Sequence, residues 1–185
     1  MKRYVVIAGV NGAGKSTLFS VVSYFKDMEK INLDEVVREI GDWRNVSDVI
    51  TAGKMVVERV NSYFSEGVSF SQETTLCGRS ILRNIEKAKD IGYNIELHYV
   101  GLESADLAKE RVSYRVANGG HGISDEDIER RYDESFENFK KVISLCDLVA
   151  VYDNTESLRR FAIYKNGRKV RLSSNVPEWY KKLSI

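Results

Sequence analysis

The sequence predicts an α/β layered fold on a mainly parallel sheet, closed by a C-terminal β-hairpin. Three observations carry this. Short apolar runs of strand length alternate with longer segments whose apolar residues recur at helical spacing, the order that builds a parallel sheet covered by helices. A glycine-rich loop lies between the first apolar run and the first helical segment, where such folds place ligand-binding loops. Late in the chain, Asn166-Gly167 separates two alternating runs, which is the signal of a two-residue hairpin turn.

Taken in order, RYVVIA reads as the first strand and KSTLFSVVSYF as the first helix. KINLDE is a poor buried strand because Lys30 leads it and Asn32 interrupts it, but it ends in a strand-to-helix turn at Asp34. NVSDVITAGKMVVERVNSYFSEG reads as a long helix with Met55, Val56, Val60, Tyr63 and Phe64 on one side, and Gly67 suits its stop. VSFSQETTL is a strand, GRSILRNIEKAKDIG a helix stopped by Gly92, and YNIELHYVGL a strand. SADLAKERVSYRVANGG is a helix ending at a glycine pair. Behind Ser124 as N-cap, Ile128, Tyr132, Phe136, Phe139 and Ile143 recur at helical spacing. DLVAVYDN is the last core strand, FAIYKNGRKVRL a peripheral hairpin, and EWYKKL a short terminal helix.

The 185 residues, 43% hydrophobic, suit one domain with one core. With 28 Lys and Arg against 27 Asp and Glu, no overall field favours general nucleic-acid or membrane binding. No apolar run approaches the roughly 20 residues that span a bilayer, and the N-terminus lacks a signal-peptide pattern, so a cytoplasmic protein is expected. Cys77 and Cys146 are far apart, which indicates neither a zinc site nor a disulfide framework and predicts two buried thiols.

Gly9 to Ser16, GVNGAGKS, fits the phosphate-loop pattern G-x-x-x-x-G-K-S/T in its proper context, a strand before and a helix after. Loop amides from Gly9, Asn11, Gly12, Ala13 and Gly14 would cradle phosphate oxygens, with Lys15 directed at the β/γ-phosphates of ATP. Ser16 would supply a hydroxyl to Mg²⁺, and Thr17 would lie near the α/β-phosphates. No LSGGQ-like or N-K-x-D signature points to a transporter ATPase or a GTPase. A small-molecule kinase needs a carboxylate to take a hydroxyl proton, an acceptor pocket and arginines that close over the transferring group. Asp34 is the candidate base, with helix capping as its plainer role. Glu73, Thr74 and Thr75 end a strand where side chains reach a cleft. Arg111 and Arg115 lie four apart on one helix, and Arg130 with Arg131 lie across the NGGHGIS loop, so the segment from about 103 to 131 reads as a lid hinged on glycine. Surface ion pairs with Glu110, Glu126, Asp127 or Glu134 are the plainer reading of these arginines. His121 lies in that loop, and His98 reads as structural. An ATPase that couples hydrolysis to conformational change, using the Asp34-Glu35 pair, and a silent nucleotide-binding protein are the alternatives.

GVNGAGKST, INLDE, SQETTLCGRS, YVGLESADLAKERVSYRVANGGHGIS, ERRY and VYDN, in this order from about residue 3 to 155, resemble the zeta toxin-like family of phosphate-loop kinases. The resemblance implies a nucleoside-monophosphate-kinase-like three-layer fold with a parallel five-stranded sheet. It also implies ATP- and Mg²⁺-dependent phosphorylation of a sugar-nucleotide, UDP-N-acetylglucosamine, on a hydroxyl, and restraint by a separate antitoxin. On this chain it implies Lys15 and Ser16 for ATP and metal and Asp34 as base, with Arg115, Arg130 and Arg131 for the transition state. Glu73, Thr75, Arg79 and His121 are implied for the acceptor, and Asn154 near the adenine. The chain departs from the toxin members in having Asn32-Leu33-Asp34 where they show D-x-D, and in a shorter acceptor-side segment. In its shorter chain it more closely resembles the family's compact branch of predicted ATPases.

Overall fold

The computed structural model describes residues 1–25 and 27–185. The chain runs β1 (Arg3–Ala8), α1 (Lys15–Val21), β2 (Glu29–Asn32), α2 (Leu33–Ile40), α3 (Val46–Glu66), β3 (Phe70–Thr74), α4 (Arg79–Asp90) and β4 (Asn94–Gly101). It continues through α5 (Ala105–Ala117), α6 (Asp125–Val142), β5 (Leu148–Asp153), β6 (Arg159–Lys165), β7 (Arg168–Leu172) and α7 (Glu178–Lys181). All strands join one sheet in the order β2-β3-β1-β4-β5-β6-β7. The first five pair in parallel and the last two antiparallel.

β1 is central and buried on both faces, as its unbroken apolar run requires. Tyr4, Val6 and Ala8 pack with Val60 and Phe64 of α3, Ile85 of α4 and Phe139 of α6. Val5 and Ile7, one residue out of phase, face Leu18 of α1 and Val112 of α5. This makes the three-layer sandwich. Val36 and Val37 of α2 pack on Ala52 of α3 in a separate small core beside Trp43.

Three local expectations are corrected. The first helix stops at Val21, and a 3₁₀ turn at Ser23–Phe25 carries Phe25 into the core, edge-on to His98 at 4.9 Å. KINLDE does give a strand, because at the sheet edge only Ile31 and Asn32 need be buried and Lys30 can pair with Glu35. Only half of the hairpin is peripheral: buried Phe161, Ala162 and Tyr164 commit β6 to β5, while β7 stays exposed at the edge, and the sheet grows from five strands to seven. Asn166 (φ 49°) and Gly167 (φ 73°) supply the paired left-handed residues that its turn demands. Among the described residues, no helix is long and apolar enough to cross a membrane.

Candidate functional site

A cleft of about 840 Å³ opens at the carboxyl ends of β1, β2 and β3, walled by α2 and α3 on one side and the α5–α6 connection on the other. Its floor is the phosphate loop. Gly9 (φ 146°) lies against the Val100 carbonyl, and at Gly12 (φ 80°) a Cβ would stand 2.8 Å from the Ala108 carbonyl oxygen, so neither position accepts a side chain. Asn154 Nδ2 donates to the Ala13 carbonyl at 2.9 Å and braces the loop from the end of β5.

Lys15 Nζ donates to the Gly9 and Val10 carbonyls at 2.8 and 3.1 Å. Burial pushes its pKa below the ordinary lysine value, Arg115 adds to this, and Glu73 and Asp34 oppose it. Ser16 Oγ donates to Glu73 Oε1 at 3.4 Å, and Asn32 Nδ2 donates to Glu73 Oε2 at 2.8 Å. Glu73, expected on the acceptor, is thus turned toward the phosphate loop. Asn32 also caps α2, its Oδ1 accepting from the Asp34 amide at 2.9 Å. With the cap supplied by Asn32, the Asp34 carboxylate is free to face the cleft, where His121 Nε2 stands 3.6 Å from its Oδ1. Burial holds the His121 pKa below the ordinary histidine value; Asp34 opposes the shift, and Arg115, Arg38 and Arg131 add to it.

The arginines divide. Arg115 lines the cleft, donating from Nε to the His121 carbonyl at 2.8 Å, and its Nη2 is buried without a partner. Arg131 also lines it and donates to Asn11 Oδ1 at 3.3 Å. Arg130 reaches the rim but is exposed and paired within its helix to Asp127 (2.6 Å) and Glu134 (3.1 Å). Arg111 points away and donates to the Thr155 carbonyl at 2.9 Å. Thr75 lines the cleft; Arg79 and Thr17 are exposed outside its lining.

One further expectation changes. Cys77 is half-buried at the cleft, not sealed in the core as Cys146 is, because it begins the exposed turn into α4. The glycines after Arg115 differ: Gly119 is open to solvent at a left-handed φ of 81°, whereas a Cβ on Gly122 would stand 2.7 Å from the Trp43 ring and from Val116 Cγ2. Trp43 and Arg38 belong to the cleft wall and were not anticipated. Both lie outside any recognisable motif, and only tertiary packing brings them to His121. Asn32 stood out only as a strand interruption and a departure from D-x-D, although an Asn two residues ahead of Asp34 at a helix start is itself a capping signal.

The family model for zeta toxin matches residues 2–169. An uncharacterised protein of Haemophilus influenzae is 29% identical over 130 residues, covering 69% of this chain and 91% of that protein. A crystal structure of AvrRxo1-ORF1 with AvrRxo1-ORF2 and sulphate ions matches over the whole chain with a TM-score of 0.76 at 14% identity, and this chain spans 64% of that one's length. A structure from the PezAT chromosomal toxin-antitoxin system of Streptococcus pneumoniae matches over the whole chain and 83% of that one, with a TM-score of 0.66 at 18% identity. The structural likenesses show a shared fold, and the family match spans the phosphate loop, both walls of the cleft and the arginine helices. The chain belongs to the zeta toxin family.

Proposed function

We propose that the chain is an ATP-dependent kinase that transfers the γ-phosphate to a hydroxyl of a small molecule, a sugar-nucleotide such as UDP-N-acetylglucosamine being the acceptor class. The observation that carries this is the meeting of Lys15 and Asp34 in one cleft: a phosphate loop with its lysine, opposite a carboxylate spared from capping. A structure of the AvrRxo1-ORF1:-ORF2 fold relative is described with ATP, which supports the nucleotide assignment.

In this reading the loop amides of residues 9–14 and Lys15 bind the phosphate tail, and Asn154 holds the loop in shape for it. The Ser16 hydroxyl and the Glu73 carboxylate are hard oxygen donors of the kind Mg²⁺ takes alongside phosphate oxygens and water. Bound there, the ion would neutralise charge on the phosphates as the transferred group moves. Asp34 takes the acceptor proton as the hydroxyl oxygen bonds to phosphorus and ADP departs. Arg115 and Arg131 neutralise the equatorial oxygens, with the segment 103–131 closing as a lid. Thr75 and the α2–α3 wall face the acceptor. Hydrolysis by an Asp34-Glu35 pair is disfavoured, because Glu35 is engaged by Lys30.

The toxin-antitoxin setting of the PezAT relative supports a separate inhibitory partner for this chain. Incubating the purified protein with γ-labelled ATP, Mg²⁺ and a panel of sugar-nucleotides, then locating the label, tests the proposal. Label on an acceptor hydroxyl supports it. Label released only as inorganic phosphate, or ATP binding without turnover, overturns it.

A further inference from the structure

His121 lies between the two working walls of the cleft. Its Nε2 is 3.6 Å from Asp34 Oδ1, its carbonyl accepts from Arg115 Nε at 2.8 Å, and its ring packs on Trp43 with centroids 5.3 Å apart. Its Nδ1 is buried and has no hydrogen-bond partner.

That last fact selects a tautomer. A proton on Nδ1 would bury an unpaired donor and turn the Nε2 lone pair toward a carboxylate. A proton on Nε2 points the donor at Asp34 and leaves at Nδ1 only an unpaired acceptor, which is less costly. Full protonation would need the Nδ1 proton as well, in a pocket that already holds three guanidiniums. The charged groups facing the ring are Asp34 and Arg38 from α2, Arg115 from α5 and Arg131 from α6.

We infer that His121, as a neutral Nε2–H imidazole, is the positioning residue of the site: its N–H faces one oxygen of Asp34 from 3.6 Å, just beyond hydrogen-bond length, and steers that carboxylate so that the other oxygen meets the acceptor hydroxyl, while its own carbonyl ties the pair to Arg115. This rests on Asp34 being the base. The imidazole neither gains nor loses a proton in the transfer, and the acceptor proton ends on Asp34. When acid protonates the ring, the imidazolium draws the carboxylate into an ion pair and away from the acceptor hydroxyl, so turnover falls.

The chain has two histidines, so NMR of imidazole-labelled protein, with His121→Gln for assignment, reads each ring separately. His121 is expected as the Nε2–H tautomer, titrating below the ordinary histidine value. Asp34→Asn should lower its midpoint further, by about half to one pH unit, because a favourable charge is removed. An unchanged midpoint, or the Nδ1–H tautomer, overturns the inference. With Mg-ATP and UDP-N-acetylglucosamine as the acceptor probe, His121→Gln keeps an N–H donor but cannot titrate. Its acid limb should move to lower pH, leaving only the limb from protonation of the base itself, with the ATP KM within about twofold of wild type, while His121→Ala loses about tenfold or more in kcat. An acid limb at the same pH in His121→Gln as in wild type also overturns it. If wild type transfers no phosphate to any alcohol, the kinase reading fails, yet the histidine titrations in wild type and Asp34→Asn still decide whether the pair exists.

Discussion

Asp34 is available for chemistry because Asn32 does its structural work. Asn and Asp are equally good N-caps, so the sequence INLDE leaves open which of positions 32 and 34 is spent on the helix; backbone geometry assigns the cap to Asn32. Asp34→Asn is therefore expected to lower kcat by about 10²–10⁴ with ATP affinity largely kept, and Glu35→Gln to be nearly silent, as steady-state kinetics would show. Asn32→Asp restores the toxin-like D-x-D pattern but places a second carboxylate against Glu73, 2.8 Å from the present amide, in a largely buried position. Its melting temperature should fall, and the deficit should shrink as pH is lowered and one of the two carboxyls takes a proton.

Among the elements, the α5–α6 connection shows where sequence periodicity is informative and where it stops. A spacing of four correctly puts Arg111 and Arg115 on one face of α5. The cleft lies at the C-terminal end of that helix, however, so one turn separates an arginine in the site from one tied to the Thr155 carbonyl. Likewise, adjacent Arg130 and Arg131 point about 100° apart on α6, and only Arg131 meets the phosphate loop. Arg115→Ala should reduce kcat by more than it weakens ATP binding, whereas Arg130→Ala, removing exposed pairs, should change either by less than about twofold. GGHGI read as a hinge from its glycine content, but content does not reveal what lies against each Cα. Gly122→Ala would push Trp43 and Val116 aside and displace His121, which should be visible as lost turnover with modest loss of stability.

For the whole molecule, the layered fold, the parallel core and the phosphate-loop floor were legible because they follow from local patterns: apolar runs, their periods and one glycine-rich motif. The pairing of the hairpin onto β5 and the role of the C-terminus depend on contacts between distant segments. Trp179 is one of these. Its indole Nε1 donates to Asp153 Oδ1 at 3.0 Å beneath the loop carrying Asn154, and its ring packs on Phe136 and Phe161. Trp179→Ala should cost about 3–5 kcal/mol in denaturant unfolding. Glu96 is another. Burial alone would raise its pKa, but the His98 ring 3.8 Å away and hydrogen bonds from Arg3 and Tyr24 hold the carboxyl at about 2 against an ordinary 4.5. A depressed native pKa adds stability above about pH 4.5 that is lost as pH falls toward 2. Glu96→Gln should therefore be less stable than wild type at pH 7 and converge with it in acid, as thermal melts across pH would register.

The sheet order also sets a schedule for synthesis. β1 leaves the ribosome well before its two neighbours, β3 and β4, and its Arg3 pairs in register with Asn94. At about 5–20 residues per second, the strand waits roughly 5–20 s before both flanks exist. During that interval its sticky VVIA run has no native cover, so yield in the cell should depend on chaperone supply and respond to slower translation or lower growth temperature.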